Sequence, residues 1–418
     1  MKILILKLFT RNSQLIFSII LELILIIPFL ALCLISRFLY KRYCFGIGPE
    51  PLINNINFKK SFDKLSIKSQ TFVTHTDHIT SSFDKNFKNS NFYNFIIIPA
   101  SIKSFLYSIF NFRALLIYFN GGPLFNTYLL RKYEHYFYKI ANLKIVVLPY
   151  GGDVQDLTRT NNLIFKNGMN QDYPQFKFKR KSISKNIEKW TNNADFVVSG
   201  CDWVDFMFGW DMLLPAHFTV DLPSDKNIFG NRYIPKSKLR ILHASNHRGI
   251  KGTNFIIETV KKLQEEYELD IHLQIIEKAN NEEVKDAIKK CDLVIDQIII
   301  GWYGLFSLEA MAYSKPVVCF LRNDLIDFYK FNKVIENSSI ENHTSKFSKQ
   351  NLNNSISFPP IINSNINSLE KILLEIYYGE INLSIYSING YEYCKKYHSI
   401  EARSKSFKYI HDKIFEKE

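Results

Sequence analysis

Two segments of the chain bring together the residue types needed to hold a departing diphosphate. The first is LHASNHRGIKGT, Leu242 to Thr253, which runs into the helical pattern NFIIETVKKLQEE. Ser245, Arg248 and Lys251 fall there between a strand end and a helix start, where unpaired N–H groups and the helix dipole already favour an anion. Two cations and a small hydroxyl in such a place suit a diphosphate, whose charge must be neutralised on binding and again on departure. Solvated loop cations are the alternative. His243, inward-facing at the same strand end, reads as a ligand contact or as a satisfied structural histidine. The second segment is CDLVIDQIIIGWYGLFSLEAMAYSKPVVCF, Cys291 to Phe320. A strand ends at Asp296, a loop carries Gly301 and Gly304, and a helix starts near Leu305. Gly304 lets the amides of Leu305 and Phe306 face phosphate oxygens. Glu309, about one turn into that helix, is placed to bind ribose hydroxyls, and its apolar neighbours do not read as a solvated face.

Two weaker turns lie nearer the N-terminus. YCFGIGPEPLINN, Tyr43 to Asn55, runs a strand into Gly46, Gly48 and Pro49, with Glu50 next. Glycine lets the backbone pass close to a ligand, and an ordinary tight turn explains the pattern equally well. LPYGGDV, Leu148 to Val154, pairs Gly151 with Gly152 and puts Asp153 at a strand mouth. Asp153 reads as a base or polar contact for an acceptor hydroxyl, or as the cap of the next helix.

Such turns need strands behind them and helices after them. Short apolar runs bounded by Gly, Pro, Asn or Asp alternate with amphipathic segments from Tyr43 onward. The predicted strands are Tyr43–Ile47, Gln70–Thr74, Phe95–Ile98, Ala114–Phe119, Lys144–Leu148 and Phe196–Ser199, then Leu239–His243, Ile271–Ile276, Leu293–Asp296 and Pro316–Phe320. The alternation implies an α/β protein with parallel sheets covered on both faces, in two doubly wound, Rossmann-like units. Ligands then bind outside the carboxyl ends of the strands, where all four turns lie. The break between units is expected in Leu213–Ser237, rich in proline and poor in helical periodicity. The Asn- and Ser-rich stretch Asn337–Asn367 reads as a loop-laden insertion or as the approach to the last helices.

Ahead of the first strand, Gln14 to Ile35 is an apolar run of 22 residues whose one charge is Glu22. It is long enough to span a bilayer, and Arg37 follows without a small-residue cleavage site. A spanning or deeply embedded helix is expected, with a buried helix of the soluble fold as the alternative. Basic residues on both flanks leave its orientation open. The 418 residues carry 53 Lys and Arg against 40 Asp and Glu, a net +13, which fits a phosphate-bearing partner or an anionic membrane. With 35 Phe and 23 Tyr, a globular chain is expected in place of a disordered one. Six cysteines without a CxxC pair indicate neither a zinc site nor a disulfide framework, and favour a reducing compartment. The basic residues form no arginine-rich tract or aromatic RNP-like motif, so nucleic acid is not an expected partner.

RGIKGT, GLFSLEAMAYSKPVV and the aspartate-led CDLVIDQ together resemble the nucleotide-sugar glycosyltransferases of the GT-B fold, specifically the retaining family 4. The resemblance covers roughly Leu239 to Phe320. After the membrane-anchoring segment read above, at 1–40, it implies two Rossmann-like domains facing a central cleft, an acceptor domain at 41–222 and a donor domain at 223–385, and a closing helix at 386–418 that packs back on the first domain. It further implies that Arg248 and Lys251 hold the donor diphosphate and act in catalysis with Glu309, which binds the ribose. His243, Ser245, Asp296, Gly304, Leu305 and Phe306 would complete the donor site, and Gly48, Glu50, Gly152 and Asp153 would face the acceptor. The nucleoside-diphosphate sugar would be a co-substrate, with no metal and no further cofactor. The family has a second glutamate eight positions before the ribose-binding one, and here that position is Gly301. Sugar orientation would then fall to Asp296, Gln297 or the backbone at Trp302 and Tyr303. The anchored, basic chain implies a membrane-proximal or lipid-linked saccharide acceptor, such as an intermediate of surface polysaccharide or glycolipid synthesis. Its catalytic body would lie on the cytoplasmic side. The competing readings are a membrane-tethered protein that binds a nucleotide sugar without transferring it, and a phosphorolytic or epimerising enzyme of the same fold.

Overall fold

The computed structural model describes residues 2–76, 82–87, 99–224, 233–335 and 359–416. The expected strand Phe95–Ile98 lies outside them, as does most of the Asn-rich stretch.

The chain opens with helix α1 (Lys2–Arg37). The first unit follows: β1 (Tyr43–Ile47), α2 (Asn54–Asp63), β2 (Ser69–Val73), β3 (Lys85–Asn86), α3 (Ala100–Asn111), β4 (Phe112–Tyr118), α4 (Leu130–Ile140), β5 (Lys144–Leu148), α5 (Leu163–Asp172), α6 (Phe176–Asn193), β6 (Phe196–Gly200) and β7 (Met212–Leu214). The second unit holds β8 (Leu239–Ala244), α7 (Arg248–Lys251), α8 (Thr253–Glu266), β9 (Ile271–Ile276), α9 (Asn281–Lys290), β10 (Leu293–Ile295), α10 (Leu305–Ala312), β11 (Val317–Cys319), α11 (Asn323–Phe331), β12 (Ile362–Asn363), α12 (Leu369–Tyr378) and α13 (Leu383–Tyr393). Helix α14 (Ile400–Phe415) ends the chain.

The strands form a seven-stranded sheet in the order β3-β2-β1-β4-β5-β6-β7 and a five-stranded sheet in the order β12-β11-β10-β8-β9. Both are parallel, and their buried strands read as continuous apolar runs such as KIVVL because helices cover both faces. The order reverses between β1 and β4 in the first sheet and between β8 and β10 in the second. These are the two places where such sheets open a crevice at their carboxyl ends. One boundary differs from the sequence reading. Met212–Leu214 is an edge strand beside β6, so the first sheet extends into the stretch expected to be the break.

Two helices return to the first unit. Phe407 of α14 stacks on Phe62 of α2 with ring centroids 4.3 Å apart, and Ser404 Oγ donates to the Ser61 carbonyl at 2.9 Å. Helix α1 is long and apolar enough to cross a membrane between Ser18 and Arg37, yet one of its faces is packed. Phe29 stacks on Phe105 of α3 at 4.9 Å and meets Phe137 of α4 edge-on at 5.9 Å. Glu22 is buried, and its carboxylate accepts the N–H groups of Tyr128, Leu129 and Leu130 at 2.9, 2.6 and 3.0 Å. An acid at a helix start satisfies orphan donors and meets the positive end of the dipole, which explains a charge inside an apolar run. The opposite face, Ile20, Leu23, Ile24, Ile27 and Leu34, is exposed.

Candidate functional site

The two switch points face each other across a cleft of about 1240 Å³. On the first sheet's side it is lined by Asn120 after β4, by Tyr150, Gly151 and Gly152 after β5, and by Cys201 and Asp202 after β6. On the second side stand His247, Ile250, Gln297, Tyr303 and Gly304.

Gly304 opens α10 at the cleft wall. The N–H groups of Leu305 and Phe306 have no hydrogen-bond partner among the described residues, as the first turn of a helix requires unless something caps it. Gly304 itself lines the cleft, and a Cβ added there would stand at ordinary contact distance, 3.8 Å, from Asp296 and Gln297. Below them Asp296, fully buried at the end of β10, binds Lys251 Nζ at 2.8 Å and Ser307 Oγ at 2.6 Å. Burial pushes the Asp296 carboxyl up, and Lys251 and Ser307 more than offset this, holding it below the usual carboxylate range. Lys251 also lies 5.3 Å from the centre of the Phe306 ring. Glu309 accepts from Asn281 Nδ2 at 2.7 Å, and burial raises its carboxyl.

Several predicted residues do other work. His243 is a core histidine: its Nδ1 pairs with the Ile295 carbonyl at 2.8 Å and its Nε2 with Thr253 Oγ1 at 2.9 Å, leaving nothing for a ligand. Its burial lowers the ring to about 4, so it stays neutral. Arg248 is absent from the cleft wall; its guanidinium turns outward to Glu277, with Nε 2.7 Å from Oε1. Ser245 Oγ steadies the turn by accepting from His247 N at 3.1 Å. The amides expected to meet phosphate in RGIKGT are taken as well. Asp172 of α5 reaches across to accept Gly249 N at 3.0 Å and Ile250 N at 2.9 Å. Asp153 neither caps a helix nor lines the cleft. It holds the β5 turn by accepting Phe119 N, Tyr150 N and Gly151 N, each at 3.0 Å. Gly48 sits where a Cβ would lie 2.0 Å from the Phe72 carbonyl, so its role is close backbone passage. Glu50 acts one residue back, accepting from the cleft residue Asn120 at 3.0 Å.

The cleft also holds residues the sequence reading did not select. Asn120 donates to Tyr150 Oη at 2.6 Å, fixing two polar groups on the first sheet's wall of the cleft. His247 Nδ1 lies 2.5 Å from Tyr173 Oη, a contact between the two units. Asp202 is buried at the wall, and desolvation with Asp205 beside it pushes its carboxyl up to about 7. Cys201 before it has φ +55°, a left-handed conformation costly for a side-chain-bearing residue and typical of strained functional turns. The one sequence signal for this turn is SGCDW directly after a predicted strand.

No family model matches the chain, and no curated protein does. Among solved structures, a sucrose-phosphate synthase from Thermosynechococcus elongatus is similar at 10% identity and a TM-score of 0.56, over 90% of this chain and 100% of the other. A UDP-glucosyltransferase from Polygonum tinctorium is similar at 8% identity and 0.46, over 90% and 99%. The glycosyltransferase SnogD from Streptomyces nogalater is similar at 8% and 0.43, over 89% and 100%. The first of these carries the conclusion, which concerns fold alone: the chain has the GT-B architecture of the synthase.

Proposed function

We propose that the protein is a glycosyltransferase moving a sugar from a nucleoside-diphosphate sugar to an acceptor hydroxyl at a membrane surface. The observation that supports this most is Gly304. It opens a helix at the switch point of the second sheet, on the wall of the cleft, and the first amides of that helix are unpaired. A diphosphate seated there gains charge as it departs, and fixed amide dipoles stabilise that charge without reorganisation. Lys251 supports the same turn from below, its own charge balanced by Asp296. Glu309, deeper on α10, is the candidate ribose contact, and Gln297 at the wall is the candidate for orienting the sugar. Across the cleft Asn120, Tyr150 and Asp202 would hold the acceptor, with Asp202 accepting a hydrogen bond from its hydroxyl. Retention at the anomeric carbon is the stereochemistry carried by the GLFSLEAMAYSKPVV resemblance. The exposed apolar face of α1 would lie in the bilayer while its packed face holds the body there, and nucleotide sugars together with six free cysteines favour a cytoplasmic body.

A second reading, nucleotide-sugar binding without transfer, is favoured by Gly301. One assay separates the two. Full-length protein in detergent is offered a panel of nucleoside-diphosphate sugars with membrane lipid extract, and free nucleoside diphosphate is measured. Release that depends on the extract supports transfer, binding without release supports the second reading, and the absence of any binding rejects both.

A further inference from the structure

The acceptor-side wall of the cleft is strongly cationic. Arg131 and Lys132 of α4, and Lys179, Lys181, Lys185 and Lys189 of α6, line it. Arg131, Lys132, Lys179, Lys181 and Lys185 are exposed, and none of them pairs with an acid among the described residues. Asp156, buried after β5, is used by Arg159 and Arg180 instead. Lys177, Lys181, Lys185 and Lys189 recur at i,i+4 along α6, a spacing at which like charges destabilise a helix. The helix holds because Ile183, Ile187 and Trp190 bury its other face, so the charge stripe is a cost that packing offsets.

The wall is also continuous with the apolar helix. Lys189 Nζ donates to the Arg131 carbonyl at 3.1 Å, tying α6 to α4, and the N–H of Leu130, next to Arg131, is held by Glu22 of α1. Exposed aromatic side chains stand among these cations: Phe178 in the cleft wall, and Tyr133 and Tyr136 on α4. Cations and half-wet aromatics beside an apolar helix face are the composition of a surface that meets polar headgroups.

We propose that the acceptor is an anionic saccharide bearing phosphate or diphosphate, and that the α4–α6 wall recognises this charge. The proposal rests on the transferase reading above and names the acceptor class for its site. The phosphate could be presented by a lipid carrier in the bilayer or by a soluble phosphodiester chain.

The test uses the full-length chain with two probes: an isoprenyl diphosphate in phosphatidylcholine vesicles, compared with phosphatidylcholine alone, and a soluble glycerol-phosphate oligomer. The variants are R131Q/K181Q/K185Q on the wall and, with the same change of charge elsewhere, K261Q/K371Q/K408Q. The wild type binds at least one probe, the wall variant binds it about tenfold more weakly or worse, and the control variant binds like the wild type. A preference for the vesicles identifies the lipid source, and a preference for the oligomer the soluble one. No binding of either probe by the wild type, equal binding by the wall variant, or equal losses in both variants overturns the proposal. Nucleoside-diphosphate affinity, measured on the same samples, tests the parent reading separately. Its absence in the wild type removes the donor assignment whatever the anion probes show, and its retention in the wall variant shows that the variant is folded.

Discussion

Arg322 lies across Gly301: a Cβ placed on Gly301 would sit 2.6 Å from Arg322 Cδ, and the guanidinium beyond it pairs with Asp205 of the first unit. Gly301 also has φ +100°, a region that disfavours any side chain. The position where the resemblance leads one to look for a glutamate is thus occupied from another loop, by a cation that ties the two units together. Restoring the acid as Gly301→Glu should therefore harm the protein. The strained backbone costs about 1–3 kcal/mol, with the disturbed Arg322 pair added to it. Urea denaturation checks this, and an unchanged midpoint would contradict the steric account.

Lys251 and Arg248 should separate on mutation although the sequence reads them as a pair. Lys251→Ala leaves the fully buried Asp296 without its cation, at a cost of about 3–5 kcal/mol, and loosens the turn below the α10 amides. Arg248→Ala removes a solvent-facing pair with Glu277 and should change neither the melting temperature nor nucleotide affinity. Calorimetry and nucleotide titration on both variants decide it. Lost affinity in Arg248→Ala with an intact fold would show that the side chain swings into the cleft.

Glu22 is a structural acid that ties α1 to the first unit. Glu22→Ala strips three amides of their acceptor, and the full chain in detergent should lose about 1–3 kcal/mol. Deleting residues 1–40 should cost more, because Phe29 leaves Phe105 and Phe137 uncovered. A truncated body as stable as the full chain would show that α1 merely rests on it.

Two carboxyls give stability a pH dependence of known sign. Asp153 and Asp202, raised by burial to about 7, keep protons in the folded chain that the unfolded chain has lost above about 4. The stability due to their neutral forms is complete below that lower value and declines as pH rises through the upper one. His243, lowered to about 4, and His398, lowered to about 3, act in the opposite sense, losing stability as pH falls below about 6.5. The difference between wild type and Asp202→Asn isolates one group. From about pH 5 to about pH 8 the wild type should lose stability relative to the variant, and a flat difference would contradict the raised carboxyl.

The fold was legible because parallel strands buried on both faces leave uninterrupted apolar runs, and because GLFSLEAMAYSKPVV marks a strand-end helix start. The short edges β3, β7 and β12 were not legible, since two or three residues carry no periodicity. In the candidate site, Gly304 was readable from its place before a helix. The outward turn of Arg248 was not, because the acid that draws it, Glu277, is distant in sequence, and Asp172 takes the RGIKGT amides from a different unit. Asp202 was missed because one acid after a strand looks like any helix cap until its burial is known.

The central claim is that the amides opening α10 receive a nucleoside diphosphate. Gly304→Leu tests it most directly, since Gly304 lines the cleft and a Cβ there would stand at ordinary contact distance, 3.8 Å, from Asp296 and Gln297. Isothermal titration of nucleoside diphosphates into wild type and variant, with melting temperatures measured in parallel, should show binding in the wild type and its loss in the variant at unchanged stability. Equal binding by both proteins would place the nucleotide elsewhere and contradict the site described.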